Sequence, residues 1–145
     1  MSLIGYSFGA DMIMEALREL DRHNRVGLVE NAVLLGAPIS CDKDVWMPAR
    51  RVVSGRLVNA FSSTDYLLAV VRPSAPNCLY RAMQPFATHP ESMQVHRVRN
   101  MAFTAAGIQP VKDVPGIENI NVGPIVRVHS DYATKAEEIL DVINL

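Results

Sequence analysis

No long apolar run, no excess of charge of one sign and no cysteine cluster marks this chain of 145 residues, and each absence removes a class of function. A helix that crosses a bilayer needs about 20 consecutive apolar residues, and no stretch here approaches that. The N-terminus lacks the basic region and apolar core of a secretory leader. Fourteen Lys and Arg stand against fifteen Asp and Glu, for a formal net charge of −1. No long-range field therefore draws the chain to nucleic acid or to an anionic membrane surface. Cys41 and Cys78 lie far apart, outside any CxxC or paired-histidine spacing, which excludes a zinc ribbon or a disulfide scaffold. They read as ordinary thiols in a reducing compartment. Neither a metal nor a cofactor is expected. What remains is a chain 49% hydrophobic and 20% charged, the balance of one soluble globular domain with a real core. Its expected place is the cytoplasm, or an intracellular membrane reached only through segments outside this chain.

The most informative stretch is Leu3-Ile4-Gly5-Tyr6-Ser7-Phe8-Gly9-Ala10, a GxSxG pattern led by apolar residues and followed at once by a helical pattern. A nucleophile elbow reads this way: a strand turns sharply into a helix and leaves the serine in strained backbone geometry, with small residues two before and two after it. Gly5 and Gly9 fill those places. Between Phe8 and Arg22, Ile13, Ala16, Leu17 and Leu20 recur at three and four, the period of a helix laid on a sheet. Ser7 is then at the N-terminus of that helix, where uncapped amides suit an anionic intermediate.

Further along, Glu30 to Pro38 is a short continuous apolar run closed by Gly36 and Pro38, as expected of a parallel strand buried on both faces. Asp42 to Val53 predicts a crossover helix with Val45, Trp46, Ala49, Val52 and Val53 on one side. Gly55 to Phe61 predicts a third strand, and Ser62-Ser63-Thr64-Asp65 the loop at its carboxyl end. Glu118 to Val122 predicts the last strand; a loop through Gly123 and Pro124 leads to His129, and Tyr132, Ala136, Ile139, Leu140 and Ile143 mark a closing amphipathic helix.

Ser7, Asp65 and His129 thus fall in that order, each after a strand on the edge where open α/β sheets hold their ligands. The chemistry requires these types. A serine hydroxyl is a poor nucleophile until a histidine takes its proton, and a carboxylate holds the imidazole in one tautomer and balances its charge. Other readings exist for each residue. Asp65 also suits the N-cap of a helix over 66–71, Asp42 and Asp44 are rival acids, and His129 can precede a helix capped by Ser130 or Asp131. His23 closes a helix, where a cation is favoured. His89 and His96, with Arg97 and Arg99, read as a solvated face.

Five runs carry a resemblance that spans nearly the whole chain: the serine motif, Val29 to Pro38, Gly55 to Asn59, Ala106-Gly107-Ile108-Gln109-Pro110-Val111 and Gly116-Ile117-Glu118-Asn119-Ile120. Together they resemble the transmembrane and coiled-coil domain-containing protein four-like family, a branch of the α/β-hydrolases. The resemblance implies an α/β-hydrolase fold and a serine esterase or lipase-like activity. It places Ser7, Asp65 and His129 at the matching positions, with the Phe8 backbone N–H as an oxyanion donor. Members of that family carry membrane-spanning segments ahead of the hydrolase region.

An α/β-hydrolase lays down about four strands before its elbow, whereas Met1 stands at the start of the elbow strand. The expectation is a partial hydrolase domain over 1–145, as a C-terminal fragment or a truncated gene product. The missing half of the sheet, or a self-association partner, would then supply the second oxyanion amide and cover the apolar edge of the first strand. Residues 73–115, with six prolines and several methionines and phenylalanines, are too long for a plain loop. They predict either a crossover with helices of its own or a lid over the serine suited to an acyl group. Two function classes follow: a serine hydrolase of small-molecule or lipid esters, or a noncatalytic hydrolase fold used for binding in membrane traffic.

Overall fold

Alternation along the strands sets the layers. In β2 (Asn31–Leu35), Ala32 and Leu34 join one apolar cluster and Val33 and Leu35 join another, and all four are buried. Successive side chains on a strand point to opposite faces, so a strand apolar at every position needs cover on both. The computed structural model describes residues 1–70 and 105–145. In these residues β1 (Ser2–Tyr6), β2, β3 (Leu57–Phe61) and β4 (Ile117–Asn121) form one sheet in the order β1-β2-β3-β4, with every neighbouring pair parallel. Helices flank it on both faces, which makes the fold α/β.

On one face, α1 (Phe8–Arg22) and α2 (Lys43–Val52) cover the sheet. Ala10, Met14 and Leu17 of α1 and Trp46, Ala49 and Val52 of α2 close over Ala32, Leu34 and Leu57. On the other face, α4 (Asp131–Thr134) and α5 (Ala136–Ile143) bring Tyr132, Ile139 and Ile143 against Val33, Leu35, Val58 and Ala60. A short helix, α3 (Tyr66–Val70), follows β3. Burying each large aliphatic side chain contributes about 1.5–3 kcal/mol, so both layers are needed to hold a sheet this apolar.

Two expectations shift. The buried stripe of α1 centres on Ala10, Met14 and Leu17, with Ile13 and Leu20 at its margins and Ala16 exposed. The i, i+4, i+7 row that meets the sheet is rotated from the row the sequence pattern suggested, because Met14 supplies more apolar area than Ala16. The closing helix is two helices. Lys135 leaves the helical region at φ −117° and ψ 28°, while its ammonium donates to the Ile125 carbonyl at 2.7 Å. The break lets Tyr132 turn under the sheet edge while Ile139 and Ile143 continue along it.

The segment entering β4 is tied down by polar groups inside the sheet. Asn59 and Asn119 are register partners on β3 and β4, and Asn59 Nδ2 donates to Asn119 Oδ1 at 3.1 Å and to the Gln109 carbonyl at 3.2 Å. Asn119 in turn accepts the Val111 N–H at 2.8 Å and donates back to its carbonyl at 2.9 Å. At the opposite end of the strands, the Arg50 guanidinium donates to the carbonyls of Gly55 (3.0 Å), Gly116 (3.3 Å) and Val53.

Strand β1 is an edge of the sheet among the described residues, with Ile4 48% exposed, which fits the expected open apolar edge. The crossover or lid expected over 73–115 falls largely outside the described residues. Arg50→Ala removes a clamp that joins the end of α2 to the starts of β3 and β4, and hydrogen bonds from a charged donor contribute about 1.5–3 kcal/mol. Urea denaturation should show a loss of about 2 kcal/mol for this variant, with Arg50→Lys recovering only part of it, since an ammonium cannot span three carbonyls in a plane.

Candidate active site

Ser7 is the only residue between β1 and α1. Its backbone stands at φ 52° and ψ −117°, a region that side-chain-bearing residues avoid. Three bonds hold it there: its N–H donates to the Leu35 carbonyl at 2.9 Å, and its carbonyl accepts from the amides of Ala10 and Asp11 at 3.0 and 3.3 Å. The side chain does not cap the helix, so the hydroxyl is left free for other partners. The turn demands a bare backbone at Gly5, where a Cβ would sit 2.6 Å from both the Gly9 carbonyl oxygen and Ile13 Cδ1. At Gly9, by contrast, nothing among the described residues comes within 4 Å of an added Cβ. The two motif glycines therefore have different physical standing. Phe8 opens α1, where backbone N–H groups have no carbonyl within the helix to bond.

Asp65 follows β3 and is 1% exposed. One oxygen accepts the Leu68 N–H at 3.3 Å at the start of α3. The other lies 2.6 Å from His129 Nδ1. The capping reading and the histidine-partner reading of this residue thus hold together, one for each oxygen.

His129 comes from the loop after β4, and side chains fasten that loop at nearly every residue. Ser62 Oγ and Thr64 Oγ1, both from the loop that carries Asp65, donate to the Val126 carbonyl at 2.7 and 3.1 Å. The Asp131 carboxylate accepts the amides of Arg127 and Val128 at 2.8 and 3.2 Å, and Lys135 holds Ile125. The imidazole is thereby brought between the other two residues: Nε2 lies 2.7 Å from Ser7 Oγ while Nδ1 faces Asp65. A carboxylate offers only acceptors. The proton therefore belongs on Nδ1, and Nε2 is the acceptor for the serine hydroxyl.

Two tyrosines enclose the imidazole. The Tyr6 ring centroid is 5.0 Å from that of His129, and the Tyr132 ring meets it edge-on at 5.9 Å. Burial, with the nearby Asp65 charge, pushes both phenols above their ordinary value. Both therefore stay protonated across the neutral range and neither competes as a base. Tyr132 packs beneath Gly36, whose φ of 53° and lack of a Cβ leave room for the ring; an added Cβ would lie 2.6 Å from its Cε2.

The structure brings Ser7, Asp65 and His129 together and leaves the rival acids apart. Asp42 and Asp44 are exposed, and Asp42 caps α2 by accepting the Asp44 N–H at 3.3 Å. His23 ends α1 and pairs with Glu19 at 3.0 Å. Cys78, His89, His96, Arg97 and Arg99 lie outside the described residues. Among the described residues no group of three His, Cys, Asp or Glu side chains is placed to hold a metal ion, and no helix is long and apolar enough to cross a membrane. Sequence reasoning passed over Tyr6, Tyr132, Ser62 and Thr64. Tyr6 stood inside the motif, but the reach of its side chain is not a property of spacing.

The family model described as "Protein of unknown function (DUF726)" matches residues 1–87 and 92–145. The chain belongs to that family. It is 36% identical over its whole length to the transmembrane and coiled-coil domain-containing protein STS1 of Oryza sativa subsp. japonica, and spans 18% of that protein. An uncharacterized membrane protein of Schizosaccharomyces pombe is 35% identical over 97% of the chain, which spans 20% of it. A Saccharomyces cerevisiae protein named probable lipase MIL1 is 34% identical over the whole chain, which spans 11% of it. No solved structure matches.

Substituting the motif glycines should separate their roles. Gly5→Ala forces an overpacked contact and should cost about 1–3 kcal/mol in urea denaturation, whereas Gly9→Ala should leave stability unchanged or slightly raised. The Asp131 carboxyl sits below its ordinary value of 3.8, chiefly through the amides of Arg127 and Val128. Its hold on the histidine loop is therefore complete above that ordinary value and is lost as pH falls through the lower, folded one. Thermal melting of Asp131→Ala should fall below that of the parent from pH 5 to 8, and the two curves should converge as pH falls below the ordinary carboxylate range.

Proposed function

We propose that this member of the family is a serine hydrolase of carboxylic esters, lipid esters among them, in which Ser7, His129 and Asp65 act as nucleophile, general base and orienting carboxylate. The observation that carries the reading is the imidazole of His129 held 2.7 Å from Ser7 Oγ and 2.6 Å from Asp65 Oδ2. A serine, an imidazole and a carboxylate joined in this sequence form the arrangement that activates a hydroxyl. The strained backbone of Ser7 at a strand-to-helix turn supports reading it as a nucleophile elbow. The relative named as a probable lipase points in the same direction.

In this reading the hydroxyl of Ser7 attacks the ester carbonyl and passes its proton to His129 Nε2. The C–O bond to the leaving group then breaks as the imidazolium returns that proton to the departing alcohol. Asp65 keeps Nδ1 protonated and offsets the charge that forms on the ring. The Phe8 N–H donates to the oxyanion at the positive end of α1. Water, activated by the same histidine, releases the acyl group from Ser7. The proposal treats 1–145 as part of an α/β-hydrolase domain. A further segment of polypeptide, or a second copy of the chain, pairs with the open edge of β1 and brings the second oxyanion donor.

Labelling by a fluorophosphonate probe tests the reading. The probe should modify Ser7 of the parent protein, with no labelling of Ser7→Ala and with a fall of roughly 10⁴-fold in rate for Asp65→Asn, where the wrong tautomer is favoured. A folded protein in which Ser7 stays unmodified and no ester of any acyl length is hydrolysed would leave only a binding role for the fold.

A further inference from the structure

We infer that Tyr6 is a positioning residue for His129, locking the imidazole at its distance from Ser7 through a hydrogen bond to the backbone of the histidine itself; the inference builds on the hydrolase reading above. The Tyr6 hydroxyl donates to the His129 carbonyl oxygen at 3.1 Å, across 123 residues of sequence. The same side chain sets its ring against the imidazole at a centroid distance of 5.0 Å and an interplanar angle of 40°. One residue thus grips both the main chain and the side chain of His129.

Its place in the chain gives that grip a consequence. Tyr6 is the last residue of β1 and is bonded directly to Ser7. Among the described residues, the side chains that fasten residues 125–128 come from elsewhere: from Ser62 and Thr64 after β3, or from Asp131 and Lys135 downstream. Those contacts fix the loop against β3 and α4, which says nothing of how far the imidazole stands from the serine. The Tyr6 bond spans that gap, because the strand that delivers the hydroxyl also delivers the clamp. A shift of β1 then moves nucleophile and base together and preserves the 2.7 Å between Ser7 Oγ and His129 Nε2. This matters most at β1 because it is the edge strand and has a ladder partner on one side only among the described residues.

The ring adds a second effect. An imidazolium formed when His129 takes the serine proton would stand 5.0 Å from the Tyr6 ring centroid, within the range at which a cation is attracted to an aromatic ring. Tyr132 approaches edge-on instead. The phenol, pushed above its ordinary value by burial and the Asp65 charge, remains a donor throughout the neutral range.

Comparison of the parent protein with Tyr6→Phe and Tyr6→Leu tests the inference by two readouts. The first needs no turnover: the Nδ1 proton shared with Asp65 resonates far downfield in proton NMR spectra, and its exchange with water measures how firmly the imidazole is seated. Tyr6→Phe keeps the ring and loses the hydroxyl, and should speed that exchange about fivefold to tenfold. The second is hydrolysis of a p-nitrophenyl ester: Tyr6→Phe should lower kcat by a similar factor with KM unchanged, and Tyr6→Leu should lower it further as the ring is lost. Melting temperature should stay within about 5 °C of the parent for Tyr6→Phe. Parent-like exchange and kcat in Tyr6→Phe overturns the inference. So does a large fall in melting temperature with kcat per folded molecule unchanged, the mark of a merely structural role. If no form hydrolyses the ester but exchange is faster in Tyr6→Phe, the positioning role stands and the hydrolase reading fails.

Discussion

Four strands that run the same way must all end on one edge of their sheet, and from that constraint the rest of this structure follows. The Ser7 turn, the Ser62–Asp65 loop and the loop to His129 leave from carboxyl ends of β1, β3 and β4, so residues 64 and 122 positions apart can meet. Parallel pairing has a price: each return path must cross a face of the sheet. The apolar stripes of α1 and α2 make two of those crossings favourable, and α5, after the last strand, covers the opposite face.

The meeting point is then refined by polar groups rather than by the core. Ser62 and Thr64 share the Val126 carbonyl, Asp131 takes two amides of the loop, and Tyr6 reaches the His129 carbonyl. These bonds add to the burial of Val122 and Val126, which anchors the loop in the core. Asp65 shows how economical the arrangement is, with one carboxylate oxygen starting a helix and the other facing the imidazole. The proposed chemistry depends on that division, because a carboxylate fixed by a backbone amide cannot swing away from the ring it orients.

The relatives that this chain matches are much longer proteins with different names. The chain spans a fifth or less of the relatives named above, two of which bear membrane-protein names and one of which is called a probable lipase. Over this stretch the chain forms a sheet, its two covering layers and the edge where three loops converge. The ester chemistry proposed above draws its serine, histidine and carboxylate from that edge.

Much of this was legible in the residues. Continuous apolar runs placed β2 to β4 within three residues, and the helix over Phe8–Arg22 has the bounds its pattern indicated, because periodicity and breakers act locally. The order of Ser7, Asp65 and His129 after three strands was also readable, since a strand pattern carries its own end. What the residues left open was decided by packing. Ala16 faces outward because rotation of α1 is set by what the sheet offers, and the closing helix breaks at Lys135 because Tyr132 and Ile139 must meet different parts of one face. The choice of Asp65 over Asp42 or Asp44, and the reach of Tyr6 to the histidine backbone, are distances between segments far apart in the chain. Local sequence encodes which residues can form a site; only the assembled sheet sets how far apart they stand.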